Sequence, residues 1–133
     1  MPADASALVP LFAQLGYPND AATIERMVLR CSDRRKIYVG EIQSNVVGFI
    51  AVEMRDELAD CEGAEILALS VDENNRSNGI GAALLRTAEE WAREQGARRV
   101  RVRSNVIRKD AHRFYEREEY APVKDQRVFE KRS

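Results

Sequence analysis

The residues best suited to chemistry lie in one polar stretch between an apolar run and an amphipathic segment: Asp72-Glu73-Asn74-Asn75-Arg76-Ser77-Asn78-Gly79-Ile80-Gly81. A turn from a buried strand into a helix offers backbone N–H groups and the positive end of the helix dipole to an anion, and the two glycines permit close backbone approach. The chemistry indicated is therefore the holding of a phosphorylated ligand. Two familiar phosphate motifs fail on inspection. A Walker A loop needs a lysine after its second glycine, where Ala82 stands. A dinucleotide fingerprint needs a third glycine, where Leu84 stands. Asn75-Arg76-Ser77 also fits a glycosylation sequon, but no export signal accompanies it and the match is read as accidental.

Charge separates along the chain although the total is nearly neutral, with 21 Lys+Arg against 22 Asp+Glu. Residues 1 to 97 carry 9 basic and 16 acidic side chains, and residues 98 to 133 carry 12 and 6. Asp56, Glu57, Asp60, Glu62 and Glu65 form an acidic run, while Arg98, Arg99, Arg101, Arg103, Arg108, Lys109, Arg113 and Arg117 make a basic end. One end can attract a cation and the other a polyanion, although charge runs of this kind are commonly just solvated faces. The balance speaks against a general nucleic-acid binder, and few aromatics interleave the arginines to stack bases. Two cysteines and one histidine assemble no metal-ligand pattern, so no metal is expected.

The elements that must position these residues follow from periodicity. Leu8, Leu11, Phe12 and Leu15 predict a helix over Ala7 to Leu15 with Asp4 or Ser6 as N-cap, and Ile24, Met27, Val28 and Cys31 predict a second, with Cys31 in the core. Lys36 to Ile42 and Val46 to Met54 read as antiparallel strands joined by Gln43-Ser44-Asn45. The run Ile66 to Val71 reads as a central strand covered on both faces. Ile80, Leu84, Ala88 and Trp91 then mark a helix stopped by Gly96. Val100 and Val102 alternate with arginines as a further strand, Asp110 to Glu118 is a short helix, and Tyr120 to Val123 and Arg127 to Glu130 read as terminal strands. The pattern is that of one α/β domain over residues 1–133, without repeats or a linker. No apolar run approaches the ~20 residues of a membrane span, and Met1 to Pro10 lacks a basic region followed by an apolar one, so a cytoplasmic location is expected.

In this setting the sequence resembles the GCN5-related N-acetyltransferase (GNAT) superfamily. Arg76-Ser77-Asn78-Gly79-Ile80-Gly81 matches the family's [QR]-x-x-G-x-[GA] acetyl-CoA loop, and Ala111-His112-Arg113-Phe114-Tyr115 looks like its A-x-x-F-Y helix, preceded by Ser104-Asn105. The resemblance covers about Ala7 to Glu130. It implies a mixed, mostly antiparallel sheet flanked by helices, and three departures from it are visible. The family's first strand is expected to be missing, because only Met1 to Ala3 precede the capped first helix. Glu119 and Tyr120 stand where the family usually has Gly and Phe, so the helix bearing Tyr115 is expected to end differently. Asn105 lies further from Ala111 than the family spacing.

The resemblance also implies roles. Arg76, Ser77, Asn78, Gly79, Ile80 and Gly81 would hold the pyrophosphate of acetyl-CoA. Backbone groups of Leu69 and Val71 would meet the pantetheine, with the Leu69 N–H facing the thioester oxygen. Asn105, Arg108 and Lys109 are further candidates for coenzyme contacts, and His112 for a surface or coenzyme-contacting role. Tyr115, protonated at pH 7 with an ordinary pKa of about 10, is the candidate general acid for the departing thiolate. Glu65, at the start of the buried strand, is the candidate base for the amine, with Glu53 and Glu41 behind it. The implied activity is direct acetyl transfer to a primary amine of a cationic acceptor. A non-catalytic acyl-CoA-binding regulatory module is the alternative; it would keep the loop but have no need of Tyr115. No nucleic acid or membrane partner is expected. An uncovered Lys36 to Ile42 edge would invite a homodimer.

Overall fold

A computed structural model of the chain describes residues 5–14, 20–29, 33–57, 60–75, 79–102, 109–123, 125 and 127–132. Helices α1 (Ala5–Gln14) and α2 (Ala21–Leu29) precede strands β1 (Arg35–Ile42), β2 (Asn45–Glu57) and β3 (Asp60–Val71). Helix α3 (Ile80–Glu94), strand β4 (Arg99–Val102) and helix α4 (Lys109–Arg117) come after them. The chain divides into two compact units, residues 1–102 with the sheet and three helices, and residues 103–133 with α4. Among the described residues, no helix is long and apolar enough to cross a membrane.

The four strands lie in the order β1-β2-β3-β4. The first three pair antiparallel, and β4 lies parallel to β3, as the α3 crossing requires. The β1–β2 hairpin turns on two residues, Gln43 (φ 51°) and Ser44 (φ 68°), with Asn45 already paired to Ile42. Left-handed conformation at both central positions matches the strand twist, which explains a turn one residue tighter than expected. Among the described residues no strand flanks β1 on its other side, so β1 is an edge of the sheet.

The core has a layer on each face of the sheet. Leu8 and Leu11 of α1, Ile24 of α2 and Phe49 of β2 form one buried cluster, joined by Ile37, Val39 and Ala68. The Ser70 hydroxyl ties this layer down by donating to the Leu11 carbonyl at 3.0 Å. On the opposite face lies α3, with Leu84, Leu85, Ala88, Trp91 and Ala92 buried. On this face, burial holds the Tyr38 hydroxyl above its ordinary pKa, helped by the charge of Glu94. Covered on both sides, β2 is continuously buried from Val47 to Val52.

Asp20 caps α2: the Thr23 N–H donates to its carboxylate at 2.8 Å and the Ile24 N–H to its carbonyl at 3.1 Å. These bonds, the Thr23 backbone one foremost, hold the Asp20 carboxyl below its ordinary range. Ser6 lies inside α1 and is not its cap; Asp4, Leu15 and Cys31 fall outside the described residues.

Four further expectations are corrected. The third strand starts at Asp60, not Ile66, because polar residues from Asp60 onward continue the ladder with β2, Asp60 opposite Glu57 and Gly63 opposite Arg55. It is not covered throughout, since Leu67 is 40% exposed. No strand occurs among the described residues from 120 to 132; Val123, Val128 and Phe129 stand exposed, so their alternating pattern has no ladder to join. Finally, α4 does not end differently from a glycine-terminated helix: Glu119 takes φ 71°, its N–H donates to the Glu116 carbonyl at 3.1 Å, and the Tyr120 N–H donates to the Tyr115 carbonyl at 2.9 Å.

Candidate active site

The phosphate-loop candidate begins where β3 stops. The Asp72 N–H donates to the Val47 carbonyl at 2.7 Å, and the Asp72 carboxylate accepts the Asn74 N–H at 3.0 Å while its carbonyl accepts the Asn75 N–H at 2.8 Å. This side chain mimics a backbone turn and bends the chain out of the sheet into the short 3-10 turn Glu73–Asn75. Arg76, Ser77 and Asn78 lie outside the described residues. Gly79 is left-handed, φ 77° and ψ 8°, and its carbonyl accepts the Ala83 N–H at 3.0 Å as α3 begins. A β-carbon built on Gly79 meets no atom of the described residues within 4 Å. The helix N-terminus that begins with Ile80 and Gly81 directs its amides outward as an anionic group requires.

On one side strand β3 pairs with β2 along its length, Leu69 opposite Ile50 and Val71 opposite Gly48. On the other, the described residues of β4 pair with it from Gly63 to Ile66, the last pair being Ile66 and Val102. The register also skips Leu67, since Ile66 pairs with Val52 and Ala68 with Ala51. Such a bulge bends a strand and re-aims the residues after it, here just before Leu69.

Glu65 is neither at the start of its strand nor solvated: it is 7% exposed in mid-β3, directly opposite Glu53 on β2 and Arg101 on β4. Like-charged neighbours across strands repel unless neutralised. Arg55 supplies that, its Nη1 lying 3.5 Å from Glu65 Oε2 and its Nε 3.3 Å from Glu53 Oε2, while Arg35 Nη2 donates to Glu53 Oε1 at 2.9 Å. The outcome is a carboxylate pair held in place by half-exposed guanidinium groups. Glu41 lies near the other end of β1, opposite Val46, apart from this pair. Arg35 and Arg55 escaped sequence reasoning, because only the strand register brings Arg35 to Glu53 and Arg55 to Glu65. The backbone register also puts Glu57 and Asp60 of the acidic run at the far end of β3 from the loop.

Tyr115 sits in the last turn of α4. Its ring packs edge-on against Phe114 at 5.1 Å and Tyr120 at 5.8 Å. The Tyr120 contact is the apolar closure that accompanies this type of helix end, so the residue after Glu119 also steadies the candidate acid. The basic candidates divide between the units, with Arg99 and Arg101 on β4 and His112, Arg113 and Arg117 on α4. Asn105 and Arg108 lie outside the described residues, as does the Lys109 side chain. Among the described residues, no group of three His, Cys, Asp or Glu side chains is gathered as a metal site.

Comparison with known proteins bears on the family and the fold. Over 76 residues the chain is 43% identical to an aminoalkylphosphonate N-acetyltransferase of Salmonella typhimurium, a match covering 56% of this chain and 49% of that protein. An N-acetyltransferase of Methanocaldococcus jannaschii is 36% identical over 87 residues, 64% of this chain and 38% of the relative. The chain thus spans about half or less of these curated relatives. The solved structure of AAC(6')-Iy in complex with a bisubstrate analog, CoA-S-monomethyl-acetylneamine, has the same fold, with a TM-score of 0.83 at 15% identity over 98% of this chain and 93% of that one. The model of the acetyltransferase (GNAT) family matches residues 8–120, and the chain belongs to that family.

Proposed function

We propose that this protein is an acetyl-CoA-dependent N-acetyltransferase that passes the acetyl group directly to a primary amine. The observation that carries this reading is that β3 leads, through the Asp72 turn, to the left-handed Gly79 at the start of α3. The end of a strand and a helix N-terminus for a pyrophosphate stand in sequence, as acetyl-CoA needs. The same reading takes residues 1–133 as one acetyltransferase domain.

In the proposed reaction the amine nitrogen bonds to the acetyl carbonyl carbon as the carbon–sulfur bond breaks, the amine loses a proton and the thiolate gains one. Residues 76–81 would hold the pyrophosphate, the Leu69 N–H would stabilise the developing oxyanion, and the Val71 backbone, Asn105 and Arg108 would contact the coenzyme. Glu65 would receive the amine proton, directly or through water. Tyr115 would give its phenolic proton to sulfur.

Glu53 and Glu65 favour a cationic acceptor. The arginines beside them, and the aminoalkylphosphonate activity of the Salmonella relative, support a second reading: an amine that also bears an anionic group. Thiol release from acetyl-CoA across a panel of polyamines, aminoglycosides, peptides and aminophosphonates separates these readings, and release with none of them would favour a non-catalytic acyl-CoA-binding module. On the best acceptor, Tyr115→Phe is expected to lower kcat by roughly 10²- to 10⁴-fold with CoA affinity nearly unchanged. An unaltered kcat would remove Tyr115 from the mechanism.

A further inference from the structure

Glycine inside a strand costs backbone entropy and contributes no packing, so its presence marks a close approach by something else. Here two glycines face each other directly, Gly40 on β1 and Gly48 on β2. A β-carbon on Gly40 would lie 3.0 Å from Ile80 Cγ2 and within 3.9 Å of both Leu84 methyls. On Gly48 it would lie 3.0 Å from the Ser70 carbonyl oxygen and 3.3 Å from Leu84 Cδ1 and Val71 Cγ2. The atoms pressed onto the pair thus come from two places: the first turn of α3 and the last two residues of β3. Those are the elements on either side of the phosphate-loop candidate.

We propose that Gly40 and Gly48 are positioning residues, a side-chain-free seat that fixes the height of the α3 N-terminus above the sheet and so the aim of its amides at the pyrophosphate. This rests on the reading of that helix start as part of the acetyl-CoA site. The two glycines do different jobs. The three atoms nearest a Gly40 β-carbon all belong to α3 side chains, whereas those nearest a Gly48 β-carbon include the β3 backbone. Gly40→Ala therefore isolates the helix. A methyl there must lift Ile80 by a few tenths of an ångström, and anion sites held by preorganised amides respond steeply to displacements of this size.

The experiment measures CoA and ADP binding by calorimetry for the wild type, Gly40→Ala and Gly40→Ala/Ile80→Ala, with amide chemical shifts of Gly79 to Ala83 recorded without ligand. Gly40→Ala is expected to weaken both ligands about tenfold and to shift those amides, and removing the Ile80 branch is expected to restore both. A purely structural seat would lower the melting temperature and leave the affinities of the folded protein alone, which would overturn the proposal. So would unmoved amides, or a loss the second substitution does not restore. If the wild type binds neither CoA nor ADP, the acetyl-CoA reading fails and the amide shifts alone decide whether the seat sets the helix.

Discussion

Helices α3 and α4 finish with the same hydrogen bonds and different residues. In α3 the Gly96 N–H donates to the Arg93 carbonyl at 3.0 Å and the Ala97 N–H to the Ala92 carbonyl at 2.9 Å, with Gly96 left-handed at φ 96°. In α4 the corresponding bonds run from Glu119 to Glu116 and from Tyr120 to Tyr115, with Glu119 at φ 71°. Glycine takes this conformation at no steric cost, whereas glutamate gives up roughly 1 kcal/mol. The difference teaches that the turn is fixed by the bonds it makes. The Tyr115–Tyr120 ring contact offsets the residue that fits it poorly. Gly79, at the other end of α3, adds a third case. It is left-handed like Gly96, yet in the chain it follows β3 rather than preceding β4.

The largest effect separates the left-handed glycines that flank α3, Gly79 and Gly96. Valine at either position is strained by about 1–2 kcal/mol, and its β-carbon meets no atom of the described residues within 4 Å. Both variants should fold with similarly lowered stability in urea titrations. Gly79→Val should lose CoA binding in calorimetry by about 100-fold or more, while Gly96→Val should bind as the wild type does. Equal affinities for the two would mean that the space beside Gly79 is not where the ligand lies.

Substitution at α4 is expected to work in the opposite direction. Glu119→Gly should relieve the left-handed strain and stabilise residues 109–120 by roughly 1 kcal/mol, read as slower amide exchange at Glu118 to Tyr120. Unchanged exchange would show that the tyrosine contact already sets the stability of this helix end.

The smallest effect concerns the start of α2. The carboxyl of Asp20 is held below its ordinary range, so its contribution is present at neutral pH and is lost as pH falls through that lowered value. Asp20→Ala should lower the melting temperature at pH 7, and the gap to wild type should close toward pH 2. A gap independent of pH would assign the effect to backbone propensity rather than to the charged cap.

Local pattern makes a good part of this molecule legible. The stripe Leu84, Ala88 and Trp91 with Gly96 behind it locates α3, and the apolar run before Asp72 locates the end of β3, so the loop between them is recognisable from residue types alone. Glu65 stands out in the sequence, but its setting does not: its burial depends on Glu53, Arg55 and Arg101, which come together only through strand register. The Leu67 bulge is a mismatch of registers, and no single strand reveals it. At Glu119 a local steric cost points to a different helix end, and two hydrogen bonds with a ring contact outweigh it. The terminal strands fail for the reason that short alternating runs often do, since alternation marks a strand only where a partner edge is offered.

The order of the sheet also carries a history. The β1–β2 hairpin closes through only two residues, whereas the β3–β4 pairing must wait until all of α3 has been laid across the sheet. Loop closure rewards near neighbours first, and parallel pairing is intrinsically slow. The hairpin is therefore the natural nucleus and β4 the late arrival, joined to β3 by four residue pairs among the described residues. One of those pairs sets Arg101 opposite Glu65, so the candidate base acquires its last strand neighbour only in the final step of the sheet's assembly.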